Sequence, residues 1–394
     1  MKKIENIVLY HSAIVGPGGL ERLLMEEYNF FKKAGIKTKI LTFKVKKEAL
    51  FGYKISDLEV LKCEGDFLSR VILLRRRLKE INPDLIISTC SLELYLATIF
   101  TKIPYVLHIH GSLFWFDNDL LKYALIHKRV FNEIRESVIG HKEFIPPKPK
   151  CNIFNRIKLE IAAILDYLAM RKAKEVIVLT PQVQWEVEKL YGRKPIIAKG
   201  CLDPSIFYYT PKKNVRKIWK IDDDTKIILS VSRLDRRKRL DVLIKAFARL
   251  LMEIDNVVLI IVGTGPDEKR LKSLAEKLNC SNRIIFTGFV NDDELWDYYY
   301  ACDVFACPGW TTSPITTYEA LAFQKKVVWS SEASEPSEIL NDPHVFLADP
   351  NPESFANALQ NALNTKIETR IDLSKYTWNN YFKTVYDAIQ RALN

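Results

Sequence analysis

Short apolar runs alternate along this chain with longer segments whose apolar residues recur at helical spacing. Ile4 to Tyr10 reads as a strand, Gly16-Pro17-Gly18-Gly19 as a tight loop, Leu20 to Ala34 as an amphipathic helix and Ile36 to Phe43 as the second strand. A helix with the basic face Arg70, Arg75, Arg76, Arg77 and Lys79 leads through Asn82-Pro83-Asp84 to the strand Leu85 to Ser88. The helix Leu92 to Thr101 then leads through Pro104 to the strand Tyr105 to Ile109. Between Gly111 and Arg171 the pattern loosens, with the apolar run Leu113-Phe114-Trp115-Phe116, a basic, proline-rich stretch from His141 to Lys150 and a helix from Ile157 to Met170. Strand Val176 to Leu179, helix Pro181 to Leu190 and strand Pro195 to Ala198 follow. Residues 200–225 have the Pro, Lys and Asp content of a connector.

The alternation then restarts. Strands at 226–231, 257–262 and 283–287 are interleaved with helices at 240–252, 267–278 and 292–301. Strand Val304 to Cys307, a helix begun around Ser313-Pro314, strand Lys326 to Trp329, strand Val345 to Leu347 and helix Pro352 to Leu363 complete the series. A last helix spans Tyr376 to Asn394. Unbroken apolar strands joined through helices imply parallel sheets covered on both faces. The expected fold is α/β: two doubly wound domains, residues 1–203 and 204–375, facing across a cleft, with ligands at the carboxyl ends of the strands and residues 376–394 packing across both.

A length of 394 residues agrees with two cores. With 48% hydrophobic and 27% charged residues, the composition is globular. No apolar run reaches the roughly 18 residues of a membrane span, and MKKIENIVLY lacks an apolar signal core, so a cytoplasmic location is expected. The seven cysteines form no CxxC pair and read as reduced thiols rather than metal ligands. Charge is divided unevenly. Residues 1–200 hold 34 Lys or Arg against 22 Asp or Glu, a net +12, whereas the remainder holds 25 against 26. This points to an anionic partner for the first half: a membrane surface, a phosphorylated substrate or nucleic acid. Aromatics among basic residues suit a lipid interface, and equally a core helix pair. Nucleic acid has the weakest support, because no helix-turn-helix, zinc site or aromatic RNA-binding signature is present.

Chemistry concentrates after strands. In CDVFACPGWTTSPITTYEALAFQKKVVW (302–329), a strand feeds a helix N-terminus through small polar residues, which suits a phosphate, and Glu319 offers a carboxylate to two neighbouring hydroxyls. A phosphate site and a hydroxyl acceptor together point to a nucleotide sugar. Gly18-Gly19 follows the first strand, His110-Gly111 ends another, and Arg233 and Lys238 place two cations five residues apart after the strand at 226–231. Val262-Gly263-Thr264-Gly265-Pro266 turns from the next strand into a helix.

In order and spacing these residues resemble the retaining nucleotide-sugar glycosyltransferases of family four. Val231-Ser232-Arg233-Leu234, Lys238 and Asp241 to Phe247 match a VGRL, KG and DxLIxAF series; Val262 to Pro266 match VGxGP; Thr287-Gly288-Phe289 match a glycine-aromatic strand end. Asp303 to Pro308 with Glu319-Ala320-Leu321-Ala322 match DVFxxPS and the EAxA helix, and Gly18-Gly19-Leu20-Glu21-Arg22 match GGxER. The resemblance covers nearly the whole chain and implies a GT-B fold of two Rossmann-like domains, the first for the acceptor and the second for the nucleotide sugar. It implies that Arg233 and Lys238 bind the donor diphosphate, Glu319 the ribose hydroxyls, and Gly18, Gly19 and Gly263 the phosphate region. His110 would lie near the reacting sugar. No cofactor or metal is implied, because Arg, Lys and helix amides stabilise the departing diphosphate.

Thr311 stands where the family has a sugar-binding Glu, and Pro314 where it has Gly. Thr312, Ser313 or the amides of Ile315 and Thr316 are expected to take over those contacts, and Arg239 replaces the Gly after Lys238. The expected activity is a retaining hexosyltransferase (EC 2.4 class) using a UDP- or GDP-hexose and a lipid-linked glycan or glycolipid acceptor. It would act peripherally on the inner face of the membrane, against its anionic surface. The alternatives are a non-catalytic nucleotide-sugar-binding subunit and a glycosyltransferase that modifies nucleic acid.

Overall fold

The computed structural model describes residues 4–16, 18–50, 52–89, 91–111, 113, 133, 152–200, 202–309, 315–333 and 335–393. These divide into two compact units, one running up to Gly200 and resuming at Trp378, the other spanning 202–377.

The first unit contains β1 (Asn6–Tyr10), β2 (Ala13–Ile14), β3 (Lys37–Thr42), β4 (Lys44–Val45), β5 (Leu58–Val60), β6 (Leu85–Ser88), β7 (Tyr105–Ile109), β8 (Glu175–Val178) and β9 (Ile196–Ile197). Seven of these form one parallel sheet in the order β5-β3-β1-β6-β7-β8-β9, while β2 and β4 pair separately. Ile7, Val8, Leu9, Leu85, Ile86, Val106 and Leu107 are fully buried, as strands covered by helices on both faces must be. The order reverses between β1 and β6, so the carboxyl ends of those neighbours diverge into loops that cross to opposite faces.

The second unit contains β10 (Lys226–Val231), β11 (Val257–Val262), β12 (Ile284–Gly288), β13 (Val304–Cys307), β14 (Lys326–Ser330) and β15 (Val345–Ala348). All are parallel, in the order β12-β11-β10-β13-β14-β15, the doubly wound dinucleotide-binding arrangement with its switch point between β10 and β13. Leu243, Ile244, Phe247 and Leu250 of the helix Leu240–Leu250 pack with Phe355, Leu359 and Ala362 of the helix Pro352–Asn364 in the core under β10, β11 and β13.

Several elements depart from the sequence expectation. The strands β2, β4 and β5 are only two or three residues long, too short for any period to mark them. The helix expected over 157–170 spans Ile153–Lys172, begun by Asn152, whose side chain accepts from the Asn155 amide at 2.8 Å. The connector is structured. It contains a turn at Pro204–Tyr208 and a helix at Val215–Trp219, and the buried carboxylate of Asp297 accepts from the Tyr209 hydroxyl at 2.9 Å and the Lys212 amide at 2.8 Å. The division therefore falls after Gly200 rather than 203. The last helix, Trp378–Leu393, belongs with the first unit: Phe382 stacks on Phe30 with ring centroids 4.8 Å apart. Cys63, Cys280, Cys302 and Cys307 are free thiols, and burial pushes Cys302 up to about 12.

Phe382 is buried and flanked by Phe30 and Trp378. Phe382→Ala is expected to lower the unfolding free energy by about 3–5 kcal/mol in urea denaturation. A loss under about 1 kcal/mol would show that the last helix does not belong to this core.

Candidate functional site

In the second unit, site residues gather where β10 and β13 separate. Past the end of β10 the backbone continues beside the loop after β11: the Ser232 amide donates to Val262 O at 3.1 Å and the Leu234 amide to Thr264 O at 2.9 Å. The Asp267 amide returns a bond to Leu234 O at 3.0 Å. A Cβ at Gly263, where φ is +127°, would lie 2.0 Å from the Ser232 carbonyl oxygen, and one at Gly265 would lie 2.2 Å from that of Leu234. The glycine pair is thus required for two loops to lie face to face, and Gly263 supports the segment that carries Arg233.

Asp235 then caps a single turn, Arg236–Lys238, accepting from the Arg237 amide at 3.1 Å. Arg233 is exposed at the rim, and Lys238 is partly buried. Burial holds the Lys238 ammonium below its ordinary value, opposed by Cys307 and Asp235 and reinforced by Arg237. An arriving anion would relieve that penalty. The loop after β13 completes this wall, since a Cβ at Gly309 would lie 3.1 Å from the Lys238 Cα and 3.2 Å from Arg237 O. Arg233, Lys238 and Gly263 are therefore brought together with residues 307–309. Thr311, Thr312 and Ser313 lie outside the described residues. Beyond them Ile315 and Thr316 open the helix Ile315–Ala322, in which Glu319 is buried at 3% exposure.

Arg239 proves to be more than a replaced glycine. Its φ of +48° is left-handed, a conformation that costs a side chain-bearing residue roughly 1–2 kcal/mol. It is 2% exposed, and its Nη2 lies 2.5 Å from Oε2 of buried Glu332, which follows β14. No local sequence signal joins these two residues.

In the first unit, Gly18 is the extended residue before the helix Gly19–Lys33, and its carbonyl accepts from the Arg22 amide at 3.0 Å. The first turns of that helix, through Leu20, Leu24 and Glu27, line a small cavity together with His11 from the end of β1, Thr89 from the end of β6 and His110 from the end of β7. The structure thus brings the Gly18-Gly19 helix and His110 to one place. His11 Nδ1 and Thr89 Oγ1 share a hydrogen bond of 2.5 Å. Behind His110 lies His108, with ring centroids 4.1 Å apart; His108 is buried, Nε2 shares a hydrogen bond with the Tyr381 hydroxyl, and Nδ1 is 3.7 Å from Glu27 Oε1. Burial, then the neighbouring His108 and His11, hold the His110 pKa well below 6.5, and its Nδ1 has no hydrogen-bond partner among the described residues. A neutral imidazole with one free nitrogen can bond a hydroxyl in either sense. His11 and Thr89 could have been found by the strand-end rule. Glu27 and Tyr381 could not, because they are an inward helical carboxylate and a residue of the last helix.

Two family models match the chain: Glycosyltransferase Family 4 over residues 17–200 and Glycosyl transferases group 1 over residues 211–379. The chain belongs to the family 4 glycosyltransferases. An uncharacterised glycosyltransferase of Methanocaldococcus jannaschii is 27% identical over 58% of this chain and 63% of its own length. The alpha-monoglucosyldiacylglycerol synthase of Streptococcus pneumoniae is 35% identical over 29% of this chain and 26% of its own. The matches thus span less than two thirds of either relative. Among solved structures, the lipopolysaccharide outer core galactosyltransferase WaaB in its apo form has a TM-score of 0.66 at 16% identity, covering 98% of this chain and 99% of its own. The fold is GT-B.

A histidine buried neutral binds fewer protons than the same residue unfolded. Because the folded pKa of His110 is depressed, stability falls as the pH drops below 6.5, by up to about 1.4 kcal/mol per pH unit. His110→Asn should flatten that slope in unfolding curves measured between the depressed pKa and 6.5; an unchanged slope would place the titration elsewhere.

Proposed function

We propose that the protein transfers a hexose from a nucleotide sugar to a lipid-linked glycan or glycolipid acceptor, with retention of configuration. The carrying observation is the switch-point cluster of Arg233, Lys238 and the loop around Gly309, backed by Gly263 and followed by the helix that holds Glu319. In this reading Arg233 and Lys238 bond the donor diphosphate and stabilise the charge that grows on it as the glycosidic bond breaks. The amides of Ile315 and Thr316 face the same phosphates, and the Glu319 carboxylate accepts from the ribose hydroxyls. Gly18 and Gly19 open a helix whose first amides suit a phosphate, and His110 bonds a hydroxyl of the reacting sugar. Cations and amides supply the stabilisation, so the proposed reaction uses no metal. A donor phosphate oxygen takes the acceptor proton on the face from which the leaving group departs, which yields retention.

The relatives support the acceptor class, since one is named for a glycosylated diacylglycerol and the structural neighbour for the lipopolysaccharide core. The surface of the first unit also supports it. Leu68 and Ile72 on the helix Phe67–Ile81, Phe100 at 79% exposure, and Phe154, Ile157, Ile161 and Ile164 on the helix Ile153–Lys172 point to solvent. Arg76, Lys79, Lys158, Arg171 and Lys172 are exposed on the same helices. Apolar side chains interspersed with cations suit the headgroup boundary of an anionic bilayer. Among the described residues no helix is long and apolar enough to cross a membrane. The attachment proposed from these exposed apolar and basic side chains is peripheral, on the inner face. Of the run Leu113 to Phe116 only Leu113 is described, and its amide donates to Glu186 at 2.8 Å; Phe114, Trp115, Phe116 and the stretch His141 to Lys150 lie outside the described residues.

Arg233→Ala and Glu319→Gln are each expected to reduce transfer from UDP- or GDP-hexoses to a polyprenyl-linked acceptor pool by the equivalent of roughly 1.5–3 kcal/mol, with unchanged thermal unfolding. Full activity in either variant would remove that residue from the donor site. Donor binding without product or donor hydrolysis in the wild type would favour a non-catalytic subunit.

The protein is expected to co-sediment with vesicles containing anionic lipid at low salt and to be released at high salt. Ile157→Gln with Ile161→Gln should weaken that association. Stronger binding to duplex DNA than to vesicles would overturn the choice of acceptor.

A further inference from the structure

Arg239 occupies a left-handed position at which glycine would be unstrained. Glycine would satisfy the backbone without burying a charge, so the side chain must supply something else. Its guanidinium bonds the Glu332 carboxylate, and both side chains are 2–3% exposed. Arg239 closes the loop after β10 and Glu332 follows β14, while β13 lies between those two strands. The pair therefore ties together two loops that the sheet holds apart. The backbone of Lys238, the adjoining residue, packs on Gly309, and the segment leading to it is held through Leu234 to the loop after β11. Arg239 supplies the third attachment.

A buried ion pair is weak evidence for stability, because the loss of hydration offsets most of the attraction. Its distinct capacity is to specify geometry. We propose that Arg239 and Glu332 are positioning residues that fix the backbone of the Lys238 turn in the orientation a nucleoside diphosphate requires. The inference rests on the donor-site reading given above, and adds to it a residue pair outside the contact set.

The test is the double variant Arg239→Gly/Glu332→Ala, which removes both charges and relaxes the left-handed position. Its thermal unfolding should match the wild type. The Lys238 and Arg239 amides, which donate to Asp235 O at 3.0 Å and Arg236 O at 3.1 Å, should exchange with deuterium at least about tenfold faster, and the dissociation constants of UDP and GDP should rise about tenfold or more. Glu332→Asp keeps the charge but shortens its reach, and should shift both readouts the same way by a smaller factor; it decides the matter if the double variant does not fold. Unchanged exchange overturns the inference, as does faster exchange with unchanged nucleotide affinity. If the wild type binds neither UDP nor GDP while exchange still rises in the variant, the donor-site reading fails and the loop-fixing role of the pair stands.

Discussion

Parallel pairing of strands buried on both faces is the constraint from which the rest of each unit follows. Such strands can be joined only by crossovers, so among the described residues most connections leave the carboxyl edge as a loop and return as a helix, the link from β3 to β5 using only a short turn at Lys47–Leu50. Where the crossovers change direction, between β1 and β6 in one unit and between β10 and β13 in the other, adjacent loops part and leave backbone amides and strand-end side chains uncovered. His11, Thr89 and His110 stand at this edge of the first sheet, and Arg233, Lys238 and Gly309 at this edge of the second.

The second edge gives the backbone that carries its cations little freedom, which favours the proposed diphosphate site. The segment that leads into the Lys238 turn is pressed against the loop after β11 by contacts only glycine allows, and the turn itself is capped by Asp235, packed on Gly309 and fastened through Arg239 to Glu332. Positioning of this kind matters most where catalysis consists of placing charge next to a leaving group, since preorganised donors need no rearrangement as charge develops. The partial burial of Lys238 adds to this, because an ammonium deprived of water gains more from an arriving anion.

The first edge is built differently. Its histidines are shielded, and burial keeps His110 neutral, so the site offers a hydrogen bond rather than a charge. Support comes from behind, through the His108 ring and the Tyr381 hydroxyl of the last helix. A helix that is last in sequence thus braces His108, which lines a cavity begun by the first strand and the first helix.

The local pattern determined a large part of this. Apolar runs buried on both faces identified the long strands, helical spacing the crossovers, and motif order the family, because each depends only on neighbours in the chain. Strand-end placement also marked His110, Arg233 and Lys238, and helix-entry placement marked Glu319. The tertiary structure decided what depends on residues far apart in sequence. The edge strand β5, only three residues long, is held by a partner rather than by its own apolar content, and the connector at 204–219 is ordered by the carboxylate of Asp297. The last helix joins the first unit because Phe30 and His108 receive its aromatic side chains. Gly263 is glycine because a carbonyl 31 positions earlier lies where its Cβ would be, at 2.0 Å. Arg239, which by sequence is only a missing glycine, is matched to a carboxylate that the sheet carries to it from the far side of β13.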